Sequence, residues 1–419
     1  MMNRYSVFVA FCGIVLCTGC VTGHDANASR LTAAIDLSAG YLVRACGEDG
    51  RFTYRINTNP DVTPKPAYNM LRHAGAIYAL AMYEQRRPDR KTRDAINRAV
   101  RFLKKNAVAP VPGKEVLLGV WSRPEIVKKS MHPQVKLGGV GLGLVALLST
   151  EKVNPGTTPI DDLRKLGRCI LFMQKTDGSF YSRYVPAWGG LRGEWVSLYY
   201  PGEAALGLMM LYEKDPSPQW LGGAAEAMAY LARSRAGKSV VEADHWALLA
   251  TAKLLGVYEK SKQPIPRKDI LQHARQICNR ILNDQVKRPS DSPEHGCFRN
   301  DGSTCPTAIR LEGLLAAMTF LPDEDKLLRE RINKAVDSGM SFLLRAQIRS
   351  GKYAGGIPRA IRTLPKDHPG FSESFNRRST EIRIDYVQHA LSAMIQFEKS
   401  RDKKKIAPQR RRILHNSKN

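Results

Sequence analysis

Acid is scarce in this chain. Its 39 Asp and Glu stand against 65 Lys and Arg over 419 residues, a formal net charge of +26 that points toward anionic partners. Disorder is excluded as the main state, because 43% hydrophobic content with 5 Trp, 15 Tyr and 12 Phe suffices for a large core. Long apolar runs are missing too: beyond residue 20 no window holds about eighteen consecutive apolar residues, so the mature chain is not expected to cross a membrane as a helix. Cysteine is sparse. Cys12, Cys17 and Cys20 fall in the first twenty residues and leave Cys46, Cys169, Cys278, Cys297 and Cys305 in the body, with no paired C-x-x-C among them.

The N-terminus is a targeting segment. Arg4 precedes an apolar run at 7–16, about ten residues where a bilayer needs about twenty, so residues 1–20 read as a signal peptide. The run ends in Cys17-Thr18-Gly19-Cys20, which resembles a bacterial lipobox with Cys17 where Leu is usual. The resemblance implies acylation at Cys20 and a lipid anchor in the cell envelope; cleavage after Ala26-Asn27-Ala28, releasing a soluble exported protein, is the alternative. Export implies an oxidising compartment, where Cys297 and Cys305 suit a loop-closing disulfide. Zinc held with the help of His295 and Cys278, or free thiols, are the other readings.

From residue 30 to 400 the pattern is helical, and almost nothing reads as a long alternating strand. Helices are expected at 30–46, 68–85, 91–107, 137–149, 161–175, 202–213, 219–235, 242–259, 268–283, 306–320, 326–349 and 381–399, twelve in six pairs of about sixty residues. In each pair the second helix is poor in charge and rich in Gly and Ala, as in Leu137-Gly138-Gly139-Val140-Gly141-Leu142-Gly143, whereas the first carries the Lys, Arg and Glu. An all-round apolar helix must be surrounded by protein and an amphipathic one faces water. Six buried helices ringed by six exposed ones make an all-α, (α/α)6 toroid as a single domain, although an open solenoid has the same pairing.

Connections from first to second helix are long, at 47–67, 177–201, 284–305 and 350–380, while return links such as 215–218 are short. Long loops gathered at one end of a ring build a funnel, and such loops commonly carry function. Several share a turn: Glu48-Asp49-Gly50-Arg51-Phe52, Lys175-Thr176-Asp177-Gly178-Ser179-Phe180 and Gly351-Lys352-Tyr353. Gln174 to Phe180 resembles the Q-x-x-D-G-S-W repeat of the terpenoid-cyclase toroids, with Phe180 in place of Trp. Similar turns occur in six-hairpin glycosidases and in the helical domain of glucuronyl C5-epimerases. The resemblance implies the toroid over about 30–400 and says little of chemistry. The D-x-D-D and D-D-x-x-D acids of terpenoid enzymes have no counterpart, since Asp161-Asp162 continues into Leu163-Arg164-Lys165. Lanthionine-cyclase-like zinc chemistry is poorly matched by His295, Cys297 and Cys305, all in one connection, so neither metal nor cofactor is expected.

Six-hairpin enzymes place catalytic groups where inner helices begin, and ionisable residues recur there. Tyr68, Arg72 and His73 open the first inner helix; Tyr199, Tyr200 and Glu203 the third; Asp244, His245 and Trp246 the fourth; Arg310 and Glu312 lie in the fifth; Arg383 and Asp385 open the sixth. Buried charge is costly unless paired or at a site. Arg72, Arg310 and Arg383 have Glu203, Glu312 and Asp385 as candidate structural partners, and Trp188, Trp195, Trp246, Tyr199 and Tyr200 would wall the funnel. Glu203, Asp244 and Asp385 are candidate acids for glycoside cleavage. His73 or Tyr200 could instead move the proton next to a uronic carboxylate held by Arg, which is lyase or C5-epimerase chemistry.

The expected function is an exported carbohydrate-active enzyme acting on an anionic polysaccharide or cell-wall polymer by hydrolysis, elimination or C5-epimerisation. A non-catalytic toroid binding an envelope polymer or protein is the alternative. Export disfavours nucleic acid as a partner. Residues 401–419, basic and poor in apolar side chains, are expected to form a disordered tail.

Overall fold

In a computed structural model the backbone is described for residues 23–128, 131–195 and 197–416, with side chains from 28 to 402 within those spans. The signal peptide and Cys20 lie outside the described residues. The first hairpin runs α1 (Gly23–Ala45), β1 (Arg55–Asn57) and α2 (Met70–Arg86). The second runs α3 (Arg90–Ala107), β2 (Val108–Val111), β3 (Lys114–Ser122), the one-turn α4 (Pro124–Val127), β4 (Gln134–Lys136) and α5 (Leu137–Val153). In the third, α6 (Ile160–Phe172) leads through β5 (Arg183–Val185) and β6 (Gly190–Arg192) to α7 (Tyr200–Lys214). The fourth is α8 (Pro218–Arg235) with α9 (His245–Leu254), and the fifth α10 (Arg267–Asp284) with α11 (Thr304–Ala317). The sixth joins α12 (Lys326–Ala346), α13 (Glu373–Arg377), β7 (Glu381–Arg383) and α14 (Ile384–Asn416).

The second helices make a closed ring. α2 packs on α5, α5 on α7, α7 on α9, α9 on α11, α11 on α14, and α14 returns to α2. The open solenoid is thereby excluded. The first helices wrap this ring; α3 turns Ala95, Ala99 and Leu103 inward and its Lys and Arg toward solvent. In α5 every residue from Leu137 to Glu151 is buried, including all four glycines. Helix approach compensates their poor propensity: a Cβ on Gly141 would stand 2.7 Å from the Glu203 carbonyl carbon of α7. The seam is strapped by β1 and β7, which pair antiparallel with Arg55 opposite Arg383 and so join the first connection to the last. Gly50 and Gly178 sit in left-handed turns, as the shared loop pattern predicts.

The structure departs from the sequence reading in four places. Connections of the second and third hairpins form a five-stranded antiparallel sheet in the order β2-β3-β4-β5-β6. Its longest strand, β3, is buried at every residue from Leu117 to Ser122, so it shows no alternation by which a strand could be recognised. The fourth inner helix is shorter than 242–259, starting at His245 because the Asp244 side chain caps it by accepting from the Ala247 N–H at 3.1 Å. α14 continues to Asn416, into the tail for which composition predicts disorder. Its Lys, Arg, Gln and Ala are polar or small but also good helix formers, extending a helix already nucleated.

Finally, Cys297 and Cys305 are not bridged; all five body cysteines are free thiols. Cys297 is buried, with its sulfur 3.4 Å from the Thr307 hydroxyl and donating to the Arg299 carbonyl, while Cys305 lies in the first turn of α11. Spacing alone suggested a short loop; the start of a helix at Thr304 takes Cys305 away from it. Non-reducing alkylation of the denatured protein should therefore label Cys297 and Cys305, and reductant should leave the melting temperature unchanged. Mass spectrometry showing a linked peptide pair would contradict this.

Candidate active site

The polar residues of the inner helices fall into three kinds of environment. The first is structural. His73 lies wholly buried on the side of α2 that meets α3: its Nε2 is 2.9 Å from the Ala99 carbonyl, which can only accept, so Nε2 carries the proton. Nδ1 therefore accepts from the Tyr68 hydroxyl at 2.7 Å, and that hydroxyl accepts from the Phe52 N–H at 3.0 Å. His73 and Tyr68 are thus committed to fastening the first connection, with no free atom for substrate. Asp244 caps α9 and pairs with Arg235 of α8 at 2.9 Å. Arg310 reaches outward to Asp284 at 2.8 Å and not to Glu312.

Burial has a consequence for acid stability. It pushes the pKa of His73 down to about 4 and that of His273, which also faces Arg235, down to about 3. The unfolded chain takes up these protons near pH 6.5, before the folded one does. Stability is therefore complete above pH ~6.5 and falls as pH drops through the interval to ~4, at the cost of about 3 kcal/mol for His73 alone. Chemical denaturation between pH 7 and 4 should show this slope, reduced in His73→Gln; an equal slope in the variant would refute the assignment.

The second environment is an ion cluster. Asp385 accepts from Arg383 at 2.5 and 2.9 Å and pairs with the Arg72 Nε at 3.0 Å. Burial works against its charge, yet Arg72 and Arg383 hold its carboxyl below the usual range. Arg72 also donates to the Tyr54 hydroxyl, and Arg383 lies over the Tyr386 ring at 4.4 Å. Two of the expected Arg–carboxylate partners thus share one acid, and Glu203 has no Arg.

The third is the centre of the ring, where polar atoms are buried without partners. Both ring nitrogens of His245, Oε1 of Glu312 and Oε2 of Glu203 make no hydrogen bond. Desolvation, with His389 and Arg310 nearby, drives the pKa of His245 far below its ordinary value, so its imidazole is neutral. Burial, then Asp244, pushes the Glu203 carboxyl well above its ordinary value. Close approach of α11 to α9 builds this cluster: a Cβ on Gly313 would come 3.0 Å from the Cβ of His245, bringing its neighbour Glu312 alongside.

His389 completes the centre and was not foreseen. It lies one turn after Asp385 on α14, and its Nδ1 is 2.6 Å from Oε2 of Glu312. The same Nδ1 lies 3.2 Å from the Gln388 amide nitrogen, so it meets an acceptor and a donor that together fix the orientation of the ring. The i, i+4 spacing from Asp385 on a buried helix was the available signal. The His245 and His389 rings meet edge to face at 5.6 Å, and Trp246 packs on both, at 4.9 and 6.2 Å. Donor atoms of His245, Glu312 and His389 lie within 4.8 Å of one another, the one such trio among the described residues. The hydrogen bond between Glu312 and His389 orients the imidazole within this trio.

The aromatics form the cover. Tyr199 packs edge-on against His245 at 5.1 Å, and Trp195 edge-on against Tyr200 at 5.6 Å. Trp195 is 53% exposed, so its outer face is open to solvent. Trp188 stands further out, under Arg183 at 4.9 Å and against His132. His389 keeps 12% of its side-chain surface while Glu312 keeps none, so the centre opens past His389.

Solved structures share this architecture. The chain resembles cellobiose 2-epimerase from Bacillus thermoamylovorans B4167 (TM-score 0.66, 13% identity, 90% of this chain and 100% of that one). The chain has the (α/α)6 fold of the six-hairpin glycosidase-like toroids. Others are a D-mannose isomerase (TM-score 0.62, 12% identity, 89% and 98%) and an unsaturated glucuronyl hydrolase specific for heparin (0.60, 14%, 89% and 98%). No family model and no curated protein matches the chain by sequence. At these identities the likeness is one of fold, and chemistry has to be argued from the residues.

Proposed function

We propose that the protein is a carbohydrate-active enzyme that moves the proton on a sugar carbon next to a carbonyl or carboxylate, with His245 and His389 as the proton-moving pair. One observation carries this: two imidazoles meet at the ring centre, one neutral with both nitrogens buried and unpartnered, the other held in place by a carboxylate. Buried polar atoms left without partners cost about 1–3 kcal/mol each, a cost expected where a substrate supplies the missing bond. Their ring centroids stand 5.6 Å apart, close enough for both imidazoles to reach one substrate carbon and its neighbouring oxygen. His245, as the neutral base, takes the proton from carbon. His389, oriented by Glu312, exchanges a proton with the adjacent oxygen. Tyr199 and the loop before α7 must give way to admit a sugar.

Hydrolysis by paired carboxylates is less well supported. Asp244 and Asp385 are spent on Arg235 and on Arg72 with Arg383, leaving Glu203 without an acid partner of its own. Elimination and epimerisation both begin with loss of the proton next to a carbonyl or carboxylate, so the centre serves either. Resemblance of the fold to a cellobiose 2-epimerase and a D-mannose isomerase supports the same class of reaction. Export through residues 1–20, anchoring at Cys20 and an anionic polymer as substrate remain part of this proposal on sequence grounds.

The test is product analysis. Neutral and acidic oligosaccharides incubated with the protein should show inverted or isomerised sugars, or an unsaturated uronate end, by proton NMR. Release of saturated reducing ends alone would replace this reading with hydrolysis. Saturable binding of a polymer without turnover would replace it with the non-catalytic toroid.

A further inference from the structure

Where the first connection meets α4 there is an open recess of about 300 Å3. Four cations line it, Arg51, Arg55, Lys65 and Lys128, and no acid does. Arg55 shares Glu381 at a long 3.5 Å. Arg51, Lys65 and Lys128 are exposed on the rim of the recess, and none of them is ion-paired among the described residues. Asp49, two residues before Arg51, turns its carboxylate to the Arg51 backbone N–H at 2.9 Å. Aromatic edges complete the wall: Phe52, Tyr54 and Tyr68, with Arg51 over the Tyr68 ring at 4.7 Å and Arg55 over the Tyr54 ring at 5.7 Å.

Gathering like charges around one recess is unfavourable in the free protein, and an anion relieves it. Aromatic edges beside forked guanidinium groups suit a sugar ring carrying a carboxylate or a sulfate. The recess is wired to the centre through one wall: Tyr54 accepts from Arg72, Arg72 pairs with Asp385, and Asp385 stands one turn before His389 on α14.

We infer that this basic recess is a subsite for an anionic sugar residue, a hexuronate or sulfated hexose, covalently linked to the sugar that reacts at His245 and His389. The inference rests on the proton-transfer reading above and names its substrate class. A charged neighbour held by Arg51, Lys65 and Lys128 would fix the register of the oligosaccharide, so that binding energy remote from the reacting carbon positions that carbon.

Calorimetric titration of His245→Asn protein, in which no turnover intervenes, tests this with a galacturonate trisaccharide, a sulfated glucose trisaccharide and neutral maltotriose. The anionic ligands should bind at least about tenfold more tightly than the neutral one at low salt. Lys65→Ala with Lys128→Ala should remove about tenfold of that affinity and lessen its salt dependence. Lys326→Ala with Lys334→Ala, exposed on α12, should not. Whichever anion binds more tightly identifies the substituent. Equal binding of all three ligands, or equal losses from both double variants, would overturn the subsite. Tight anion binding by a wild-type protein that exchanges no proton would leave the subsite standing and refute the proton-transfer reading instead.

Discussion

His245→Asn should lower kcat by about 10³-fold, the range of a lost general acid–base group, with the fold intact. His245→Leu should go further in a diagnostic direction, abolishing turnover while leaving the melting temperature equal to or above that of wild type. The reason is that the native imidazole is buried with neither nitrogen bonded, so the fold bears a desolvation cost that an apolar side chain of similar size removes. A residue retained only for packing would behave oppositely, and Leu would then destabilise without a specific effect on turnover. Glu312→Gln separates positioning from proton transfer. It keeps the shape but replaces the carboxylate oxygen that orients His389, so kcat should fall roughly 10- to 100-fold with KM nearly constant. Steady-state kinetics beside thermal unfolding for the three variants checks these outcomes together.

The largest effect on stability is expected at Gly141. Val there would place atoms against the backbone of Glu203 and Ala204, both within 2.8 Å of the added Cβ. Backbone cannot rotate away as a side chain can, so α5 and α7 must separate, and a break at one contact opens a ring that depends on all six. Loss of more than about 3 kcal/mol is predicted, enough to leave little folded protein. Gly222→Val on the exposed side of α8, with no atom within 4 Å of its Cβ, should cost about 1 kcal/mol or less. Urea denaturation of the two variants measures the contrast, and similar midpoints would mean that the inner helices are less tightly apposed than described.

How much of this could be read from residues alone follows from how each feature is encoded. The ring was legible because it depends on composition: Gly138 to Gly143 carry no charge and Gly202 to Gly207 only Glu203, and a helix so poor in polar residues has no place at a surface. β3 was not legible, because burial on both faces erases alternation. At the site, Glu203, His245 and Glu312 were recognisable as polar residues on buried helices, and the structure brings His245 and Glu312 together. His73 and Asp244 carried the same signal and proved structural, since sequence does not reveal whether a helix face turns to the ring centre or to an outer helix. His389 was overlooked amid the apolar continuation of its helix, although four residues from Asp385 place it one turn deeper on the same face. The Cys297–Cys305 bridge failed for a related reason: eight residues of separation fit a loop, and a helix start at Thr304 changes where Cys305 points.

The measurement closest to the central claim is solvent-proton exchange. Wild-type protein and His245→Asn are incubated with candidate sugars in D2O, and deuterium on the carbon beside the carbonyl or carboxylate is followed by NMR. Deuterium should enter that position with wild type at the rate of product formation and should not enter with His245→Asn. Sugar turnover by wild type with no carbon-bound deuterium, or undiminished incorporation by His245→Asn, would contradict the proposal that these imidazoles move a substrate proton.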